Sequence, residues 1–517
     1  MKFLNLLGFV VCALLVLRSE AIAEANEAPN IIIILADDLG IGDVSAYNES
    51  SAWETPHIDR LAASGMRFTD AHSNAALCTP TRYGIMTGRY AWRTRLKSSG
   101  FNGYSRPLIA DERLTMPEML SENGYETALI GKWHLGWNWH YLEDRELAIE
   151  EGRFPKIDFS KPVSSGPKEN GFNYSFGLMA SLSSPPFVYV ENGMPTSIPE
   201  ATSVNYDEKA FWRKGPIGTD FKHVDVLPEL TRRAVSYIEE KASENQPFFL
   251  YFAMTAPHAP IIPPSEYIGK SNTNAYGDFV LMVDDMVGQV LQAVESDPRL
   301  RKTLIVFTSD NGQLPRADFD DDELPLAGQK GSYIYRGKKF DIYEGGHRVP
   351  FIVSWPGEVE AGSLSSETIS TVDFMATFAE LRSVTLSDQE AEDSLSFLPV
   401  LRGGKMDTEK RVATVVHSSD GRFAIRKGDW KLVLWPGSGG WAYPKTADEM
   451  AGLPRFQLYN LAKDPGETLN LYSKHPERVT ELKALLEEYV DAGRSTRGAK
   501  QRNDGDARWE QLEWMSR

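Results

Sequence analysis

Short apolar segments recur along the chain, and most end in polar, chemically capable residues. They lie at 31–35, 127–130, 247–254, 304–307 and 351–354. Continuous apolar runs of this length are typical of strands buried on both faces of a sheet. Helical patterns lie between them, at 56–64, 230–242 and 276–294. This alternation predicts an α/β fold with a large, mostly parallel sheet flanked by helices.

The pattern changes after about residue 400. Apolar segments at 412–416, 423–426 and 430–435 are joined by turn residues, which is typical of antiparallel strands. An amphipathic helix is predicted at 476–490, and the chain beyond residue 494 is polar and weakly patterned. We therefore expect a main domain over residues 24–400, followed by a smaller C-terminal α+β domain with an antiparallel sheet and a tail over residues 401–517.

The N-terminus is typical of an export signal. Lys2 precedes an apolar run over residues 3–17, and Ala21 and Ala23 offer small residues at the cleavage positions. The run is shorter than the ~20 residues that span a bilayer, which favours a cleaved signal over a membrane anchor. We expect a signal peptide at 1–23, a periplasmic or extracellular protein, and no membrane contact after the signal is removed.

Charge and cysteine content narrow the possible functions. The formal net charge is −17, so the chain has no electrostatic reason to bind nucleic acid. An anionic substrate would require cationic groups concentrated in one site. The chain has two cysteines, and Cys12 lies in the predicted signal, so Cys78 has no partner for an internal disulfide. A lone cysteine in an exported protein is a reactive group, a possible partner for an intermolecular disulfide, or a buried, inert residue.

Two of the predicted strands are followed by pairs of oxygen ligands. Asp37 and Asp38 follow the first apolar segment, and Asp310 and Asn311 follow the fourth. Either pair alone is usually a cap or a turn. However, the carboxyl ends of parallel strands meet at one edge of a sheet, so we expect these side chains to lie together. Three carboxylates and an amide oxygen favour Ca²⁺ over Mg²⁺, and both over zinc.

Several cationic and imidazole side chains are candidates for anion binding and proton transfer. They are Arg82, Lys132, His134, His258 and Lys339. Lys132 and His134 are two residues apart on a predicted extended segment, which would direct both side chains to one face. A lone residue of either type is more often structural or solvated. Cys78 precedes a predicted helix over 80–87, with Pro80 in its first position. Arg82, one turn beyond Cys78, can reach back to it.

Cys78-Thr79-Pro80-Thr81-Arg82, followed by Thr87-Gly88-Arg89, matches the Cys-x-Pro-x-Arg motif of the formylglycine-dependent sulfatases. Further segments resemble the same family in the same order, namely "ILADDLGIGD", "TPHIDRLAASG", "GKWHLG", "PHAP", "TSDNG", "YEGGHRVP" and "LYNLAKDPGETLNL". The chain therefore resembles the type I sulfatases, both carbohydrate sulfatases and arylsulfatases. The resemblance implies an alkaline phosphatase-like superfold and assigns residues 24–400 to the catalytic sulfatase domain.

The resemblance also implies a matured active site. A separate maturation enzyme would oxidise Cys78 to Cα-formylglycine, whose hydrate attacks sulfur in line. One Ca²⁺ would be bound by Asp37, Asp38, Cys78, Asp310 and Asn311.

The resemblance also implies a role for each of the remaining motif residues. Arg82 and Lys132 would hold the hydrate and the sulfate oxygens. His258 or Lys339 would protonate the leaving alcohol, and His134 would take a proton as sulfate is eliminated. Lys339, rather than Lys338, is selected because it lies five residues before Glu344.

The sequence specifies the substrate less closely than the reaction type. Ser181 falls where some family members contact substrate, and His347 and Arg348 are candidates to contact a sugar or a second anionic group. Trp133, Trp137, Trp139 and the loop 183–192 offer either sugar-stacking surfaces or core aromatics. The resemblance favours sulfated polysaccharide or oligosaccharide over aryl sulfates. The rival enzyme class is a phosphomonoester or phosphonate hydrolase of the same superfold. A glycan-binding protein with a dead site is disfavoured, because every expected catalytic position is filled.

Overall fold

A computed structural model of the chain describes residues 28–244, 246–314, 330–505 and 508–515. The predicted signal peptide lies outside the described residues. The α-helices are α1 Pro56–Ser64, α2 Cys78–Thr87, α3 Met116–Glu122, α4 Arg145–Glu150, α5 Val226–Lys241, α6 Ala275–Ser296, α7 Glu344–His347, α8 Phe374–Leu381, α9 Leu398–Leu401, α10 Ala447–Met450 and α11 Pro476–Ala492. No helix within these ranges has the length and apolar character needed to cross a membrane.

The strands of the main domain are β1 Ile31–Asp37, β2 Met66–Phe68, β3 Ala71–His72, β4 Glu126–Lys132, β5 Tyr174–Leu178, β6 Val190–Glu191, β7 Met194–Pro195, β8 Ala201–Asn205, β9 Trp212–Ile217, β10 Phe248–Pro257, β11 Leu304–Ser309, β12 Phe351–Ser354, β13 Ser363–Ser365 and β14 Ile369–Ser370. The strands that follow are β15 Thr414–His417, β16 Phe423–Lys427, β17 Trp430–Val433 and β18 Gln457–Asn460.

A ten-stranded sheet forms the centre of the molecule, in the order β13-β2-β12-β11-β1-β10-β4-β5-β6-β7. Its five middle strands, β11, β1, β10, β4 and β5, are mutually parallel. β12 pairs antiparallel with both β11 and β2, and β6 and β7 add antiparallel pairs at the other side. The predicted α/β fold is confirmed, and the sheet is mixed with a parallel centre.

The residues of β1 explain why this strand lies in the middle. Ile31, Ile33 and Leu35 pack into one core with side chains from α2, α3 and α8. Ile32 and Ile34 pack into a second core with α1, α5 and α6. Successive strand residues face opposite sides of the sheet, so a strand covered by helices on both sides must be apolar at every position.

A second, antiparallel sheet of four strands, β15-β16-β17-β18, follows the main sheet in the chain. α11 packs on it through Val479, Leu482 and Leu486, which confirms the predicted C-terminal α+β element. The domain boundary at residue 400 stays a prediction. In the tail, Leu512 and Trp514 are buried in this same core. The sequence pattern did not predict their burial, because apolar residues are sparse and irregularly spaced in this segment.

The helix after the cysteine motif begins earlier than its sequence pattern predicts. α2 starts at Cys78 itself, which makes Pro80 its third residue instead of its first. The first turn of a helix needs no intrahelical N–H donors, so proline is still tolerated there. α2 ends at Thr87, and the next residue, Gly88, caps it with a φ of 64°, a left-handed conformation that glycine adopts without strain.

Candidate active site

Four neighbouring strands bring the candidate residues to one edge of the main sheet. β11, β1, β10 and β4 lie side by side and run parallel. Their carboxyl ends carry Asp310, Asp37, His258 and Lys132 in that order. The sheet therefore gathers residues from four distant parts of the chain into one place, as expected for a site in an α/β fold.

The acidic residues form a buried cradle of oxygen atoms. Asp37, Asp38, Asp310 and Asn311 are fully buried. The main-chain N–H of Asp38 donates to Asp310 Oδ1 at 3.1 Å, and Asn311 Nδ2 donates to Asp38 Oδ1 at 2.7 Å. Asn311 Oδ1 is buried without a hydrogen-bond partner among the described residues. Buried acceptors are almost always satisfied, so this orphan oxygen beside three carboxylates fits a divalent cation that prefers oxygen ligands.

Each carboxylate of the cradle has a cationic partner. Lys132 Nζ lies 2.8 Å from both carboxylate oxygens of Asp37. Lys339 Nζ donates to Asp38 Oδ2 at 2.7 Å. Arg82 donates to Asp310 Oδ2 from Nε at 3.0 Å and from Nη2 at 2.8 Å.

These charges decide the ionisation of the cradle. Burial opposes the ionisation of Asp38, but the charges of His258 and Lys339 outweigh it and hold the pKa of Asp38 below its usual range. Burial also opposes the ionisation of Asp37, but the charges of Lys132 and His258 outweigh it and hold the pKa of Asp37 below its usual range. Asp37 and Asp38 therefore present ionised oxygens at neutral pH.

Cys78 lies at the edge of the cradle. Its Sγ is 3.8 Å from Asp38 Oδ1, and the side chain is buried in the first turn of α2. Burial, together with the nearby charge of Asp310, raises the pKa of the Cys78 thiol, so it does not act as a thiolate in this environment. Arg82, one turn along α2, also donates from Nη1 to the carbonyl of Lys132 at 2.9 Å, which ties the helix to the end of β4.

His134 has a defined tautomer. Its Nε2 lies 2.9 Å from the carbonyl oxygen of Phe101. A carbonyl oxygen only accepts, so Nε2 carries the proton and Nδ1 of the neutral ring has a free lone pair. Nδ1 is buried without a hydrogen-bond partner among the described residues. Burial and the charges of Lys132 and Arg82 hold the pKa of His134 well below its usual range, so the ring is a neutral proton acceptor.

His258 faces the cradle from the end of β10. Its Nδ1 donates to the carbonyl of Ala259 at 2.5 Å, and its Nε2 lies 3.6 Å from Asp38 Oδ2. Burial lowers the pKa of His258, and the carboxylate of Asp38 opposes that effect. Its side chain is 12% exposed, whereas that of Asp38 is fully buried, so His258 lies nearer the surface than the carboxylate it faces.

The arrangement combines a cradle of carboxylate and amide oxygens, a buried cysteine, fixed cations and two imidazoles. The chain that carries it also matches known protein families. Residues 29–384 match the family described as Sulfatase, and residues 331–495 match the one described as N-sulphoglucosamine sulphohydrolase, C-terminal. The chain belongs to the sulfatase family. It is a sulfuric ester hydrolase, and the family match and the fold agree with each other.

Named relatives are similar along most of this sulfatase. An N-acetylgalactosamine-6-O-sulfatase of Bacteroides thetaiotaomicron is 34% identical, over 90% of this chain and 93% of its own. Human arylsulfatase A is 30% identical, over 93% of this chain and 91% of its own. A solved structure from work on glycosaminoglycan metabolism by Bacteroides thetaiotaomicron is 32% identical with a TM-score of 0.76, covering 90% of this chain and 99% of that one.

Not every predicted residue of the sulfatase lies at the cradle. His347 and Arg348 are buried in a second cluster, where Arg348 donates to Glu344 at 2.7 Å and Lys431 Nζ lies 3.1 Å from His347 Nε2. Their side chains are thus committed to protein partners, and the structure does not bring them to the candidate site. Ser181 is buried in the loop after β5.

The tryptophans behave as core residues. Trp133, Trp137 and Trp139 are all buried among apolar side chains, so the interpretation as core aromatics holds for them. The loop 183–192 is likewise mostly buried.

The structure also shows a contact of His134 that the sequence could not indicate. β4 ends at Lys132, and His134 has a φ of 59°, so the predicted extended segment does not reach His134. The carbonyl of Phe101 orients the His134 ring instead. A main-chain carbonyl is common to every residue, so no sequence pattern could have indicated this partner.

Proposed function

We propose that this sulfatase releases sulfate from sulfated carbohydrates, oligosaccharide or polysaccharide, and that 6-O-sulfated N-acetylgalactosamine is its first candidate substrate. The relative named for that activity is 34% identical across nine-tenths of both chains, which supports the proposal. The observation that carries it in the structure is the placement of Cys78 Sγ 3.8 Å from Asp38, inside a cradle whose carboxylates each have a cationic partner.

The cradle would hold one Ca²⁺ through Asp37, Asp38, Asp310 and Asn311, with the converted Cys78 beside them. The orphan Asn311 Oδ1 supports this ligand set. A bound Ca²⁺ supplies positive charge that stabilises negative charge on the attacking and sulfate oxygens. The cysteine motif and the family match support a chemically converted Cys78, the Cα-formylglycine that a separate maturation enzyme makes.

Lys132 and Lys339 would bind the sulfate oxygens. An ammonium group has three donors, and the carboxylates of Asp37 and Asp38 do not use all of them. Negative charge spreads over the sulfate oxygens as the ester bond breaks. Cations that are already held in place stabilise that charge without reorganising. Arg82 holds Asp310 and the end of β4 in position for this role.

Two imidazoles and a lysine would move the protons. His134 Nδ1 would accept a proton, because its lone pair is free and its ring is neutral. Lys339 Nζ would donate a proton to the leaving alcohol, or His258 Nε2 would do so from the imidazolium form, which the carboxylate of Asp38 favours. Both atoms lie within 3.6 Å of Asp38 Oδ2, on the same side of the cradle.

Export belongs to the same proposal. The apolar run at 3–17 and the small residues at 21 and 23 support a signal peptide at 1–23 and a periplasmic or extracellular location. A catalytic domain over 24–400 and a smaller domain over 401–517 agree with the two sheets.

The decisive experiment compares the wild type with Cys78→Ala, both produced in a host that makes formylglycine. Mass spectrometry should show conversion of Cys78 in the wild type. Sulfate and phosphate release are then measured on 6-O-sulfated N-acetylgalactosamine, its 4-O-sulfated isomer, an aryl sulfate and the matching phosphate esters. We expect sulfate release from the carbohydrate, reduced by about 10³-fold or more in Cys78→Ala.

Two outcomes would overturn the proposal. One is full sulfate release by Cys78→Ala, and the other is a preference for phosphate esters. For the cation, we expect EGTA to lower the melting temperature of the wild type and added Ca²⁺ to restore it, whereas Asn311→Ala should respond weakly to both.

A further inference from the structure

An aromatic pair lies beside the catalytic cradle. Phe340 directly follows Lys339 in the chain, and the Lys339 Nζ lies 5.2 Å from the centre of the Phe340 ring. The same Nζ donates to Asp38 at 2.7 Å. Trp441 stacks on Phe340, with ring centres 4.8 Å apart and planes inclined by 28°. Two successive contacts therefore connect Trp441, through Phe340, to Lys339, which is hydrogen-bonded to the cradle.

Trp441 is exposed although its position is fixed. Its residue surface is 49% exposed, while Phe340 covers part of its ring. The buried carboxylate of Asp341 accepts hydrogen bonds from the main-chain N–H groups of Trp441 at 2.8 Å and Ala442 at 2.9 Å. Gly440 permits this approach, because a Cβ there would lie 2.6 Å from the Phe340 main chain.

The segment that carries the pair is also tied to Cys78. The N–H of Phe340 donates to the carbonyl of Ala76 at 2.8 Å, two residues before Cys78. The N–H of Ser419 donates to the carbonyl of Phe340 at 2.9 Å. The aromatic pair is thus held between the start of α2 and the C-terminal sheet, next to the residues that would act on the ester.

A half-exposed ring held rigidly at the edge of a polar site suits a ligand with one apolar face. A pyranose ring has such a face in its C–H groups, and its hydroxyl and sulfate groups would reach the cations of the cradle. Flat aromatic side chains offer large contact area with little loss of conformational freedom. A small aryl sulfate, in contrast, has no second ring that could follow the contacts leading from Lys339 through Phe340 to Trp441.

We propose that Trp441, supported by Phe340, is a stacking platform for a sugar ring of the bound substrate, and that it favours carbohydrate over small aryl sulfates. This inference rests on the proposed function and deepens it. It makes the C-terminal part of the chain a contributor to substrate binding.

The test measures kcat and KM of matured wild type, Trp441→Ala and Trp441→Phe. The substrates are a sulfated N-acetylgalactosamine oligosaccharide and a small aryl sulfate. We expect Trp441→Ala to lower kcat/KM for the oligosaccharide by about tenfold, mostly through KM, and to leave the aryl sulfate within about twofold. Trp441→Phe should retain most of the activity. Tyr443→Ala, an exposed aromatic two residues away, is the matched control and should behave as the wild type.

The outcomes separate the platform from the proposed function. If the wild type releases sulfate from the oligosaccharide and Trp441→Ala does so equally well, the platform is overturned alone. Equal losses on both substrates would also overturn it, because they indicate a general disturbance of the site. If the wild type releases no sulfate from any carbohydrate, both proposals are overturned. Melting curves check that the variants are folded.

Discussion

At the scale of single residues, His134 shows how one main-chain atom decides the chemistry of a side chain. The Phe101 carbonyl accepts from Nε2, which leaves Nδ1 as the basic atom. The sequence identified His134 through its motif. It could not indicate the tautomer, because the partner lies 33 residues away and contributes only backbone.

The low pKa of His134 leads to a prediction about the pH dependence of turnover. A proton acceptor must be unprotonated, and a pKa held well below 6.5 keeps it so as pH falls through that value. We therefore expect kcat of the matured enzyme to show no loss from His134 protonation between pH 7.5 and 6.5. His134→Gln keeps a donor for Phe101 but lacks the base, and should lower kcat by about 10²- to 10⁴-fold.

Steady-state pH profiles of the two proteins check this prediction. His140→Gln, an exposed histidine in the same segment, serves as the control and should leave kcat unchanged. Wild-type turnover by His134→Gln would exclude His134 as the proton acceptor.

At the scale of elements, the short helix α7 connects the cradle with the C-terminal sheet. The N–H of Gly312, next to Asn311, donates to the carbonyl of Gly346 at 3.0 Å. A Cβ on Gly312 would lie 1.9 Å from the Gly345 carbonyl, so only glycine permits this contact. On its other side, α7 presents Glu344 to Lys431 of β17 at 3.0 Å.

Glu467 completes this buried cluster. Its Oε2 accepts the N–H of Glu344 at 2.6 Å, and its Oε1 lies 2.9 Å from Lys431 Nζ. Burial raises the pKa of Glu467 to about 7, with Lys431 opposing the shift. Glu344 of the motif "YEGGHRVP" and Glu467 of the motif "DPGETLNL" are far apart in the sequence, but both contact Lys431.

We expect substitution of Lys431 to lower the free energy of unfolding. Lys431→Met removes the cation that lies between the buried carboxyl groups of Glu344 and Glu467. Glu344 keeps its contact with Arg348, but Glu467 loses its pair with Lys431, and breaking a buried pair in this way costs about 3–5 kcal/mol of unfolding free energy. The matched control is Lys427→Met on the adjacent strand, whose pair with Glu481 is solvent-accessible. Its loss should cost about 0–1 kcal/mol. Denaturant unfolding of both variants gives the comparison, and equal, small losses would contradict the structural role of Lys431.

Elements with a strong periodic pattern were predicted well. α1 and β12 have the bounds that the apolar pattern predicts, because their burial follows a simple repeat. The short strands β6 to β9 carried no comparable signal, since several of their residues are exposed or polar.

At the scale of the whole molecule, the end of the chain returns to the segment that follows α2. Trp514 packs edge-on to Phe423, and Phe423 packs in turn on Trp92. The N–H of Asp504 also donates to the carbonyl of Arg93. The tail thus packs on a core that includes Tyr90 and Trp92, in the segment that follows α2.

This packing predicts a large effect of a change far from the cradle. Trp514→Ala removes a buried aromatic and should lower the unfolding free energy by about 3–5 kcal/mol. Trp441→Ala, at the exposed platform, is the control of the same chemical type and should change it little. Denaturant midpoints measure both. A Trp514→Ala variant as stable as the wild type would contradict the predicted role of Trp514 in this core.

The sequence by itself determined the family, the parallel centre of the sheet and the identity of the cradle residues, because these follow from local apolar runs and from motifs. The tertiary structure alone decided the charge partners, the tautomer of His134, the enclosure of His347 and Arg348 and the position of Trp441. The reason is physical. Asn311 and Asp38 are 273 residues apart and still lie 2.7 Å from each other, and only the path of the chain brings such groups into contact.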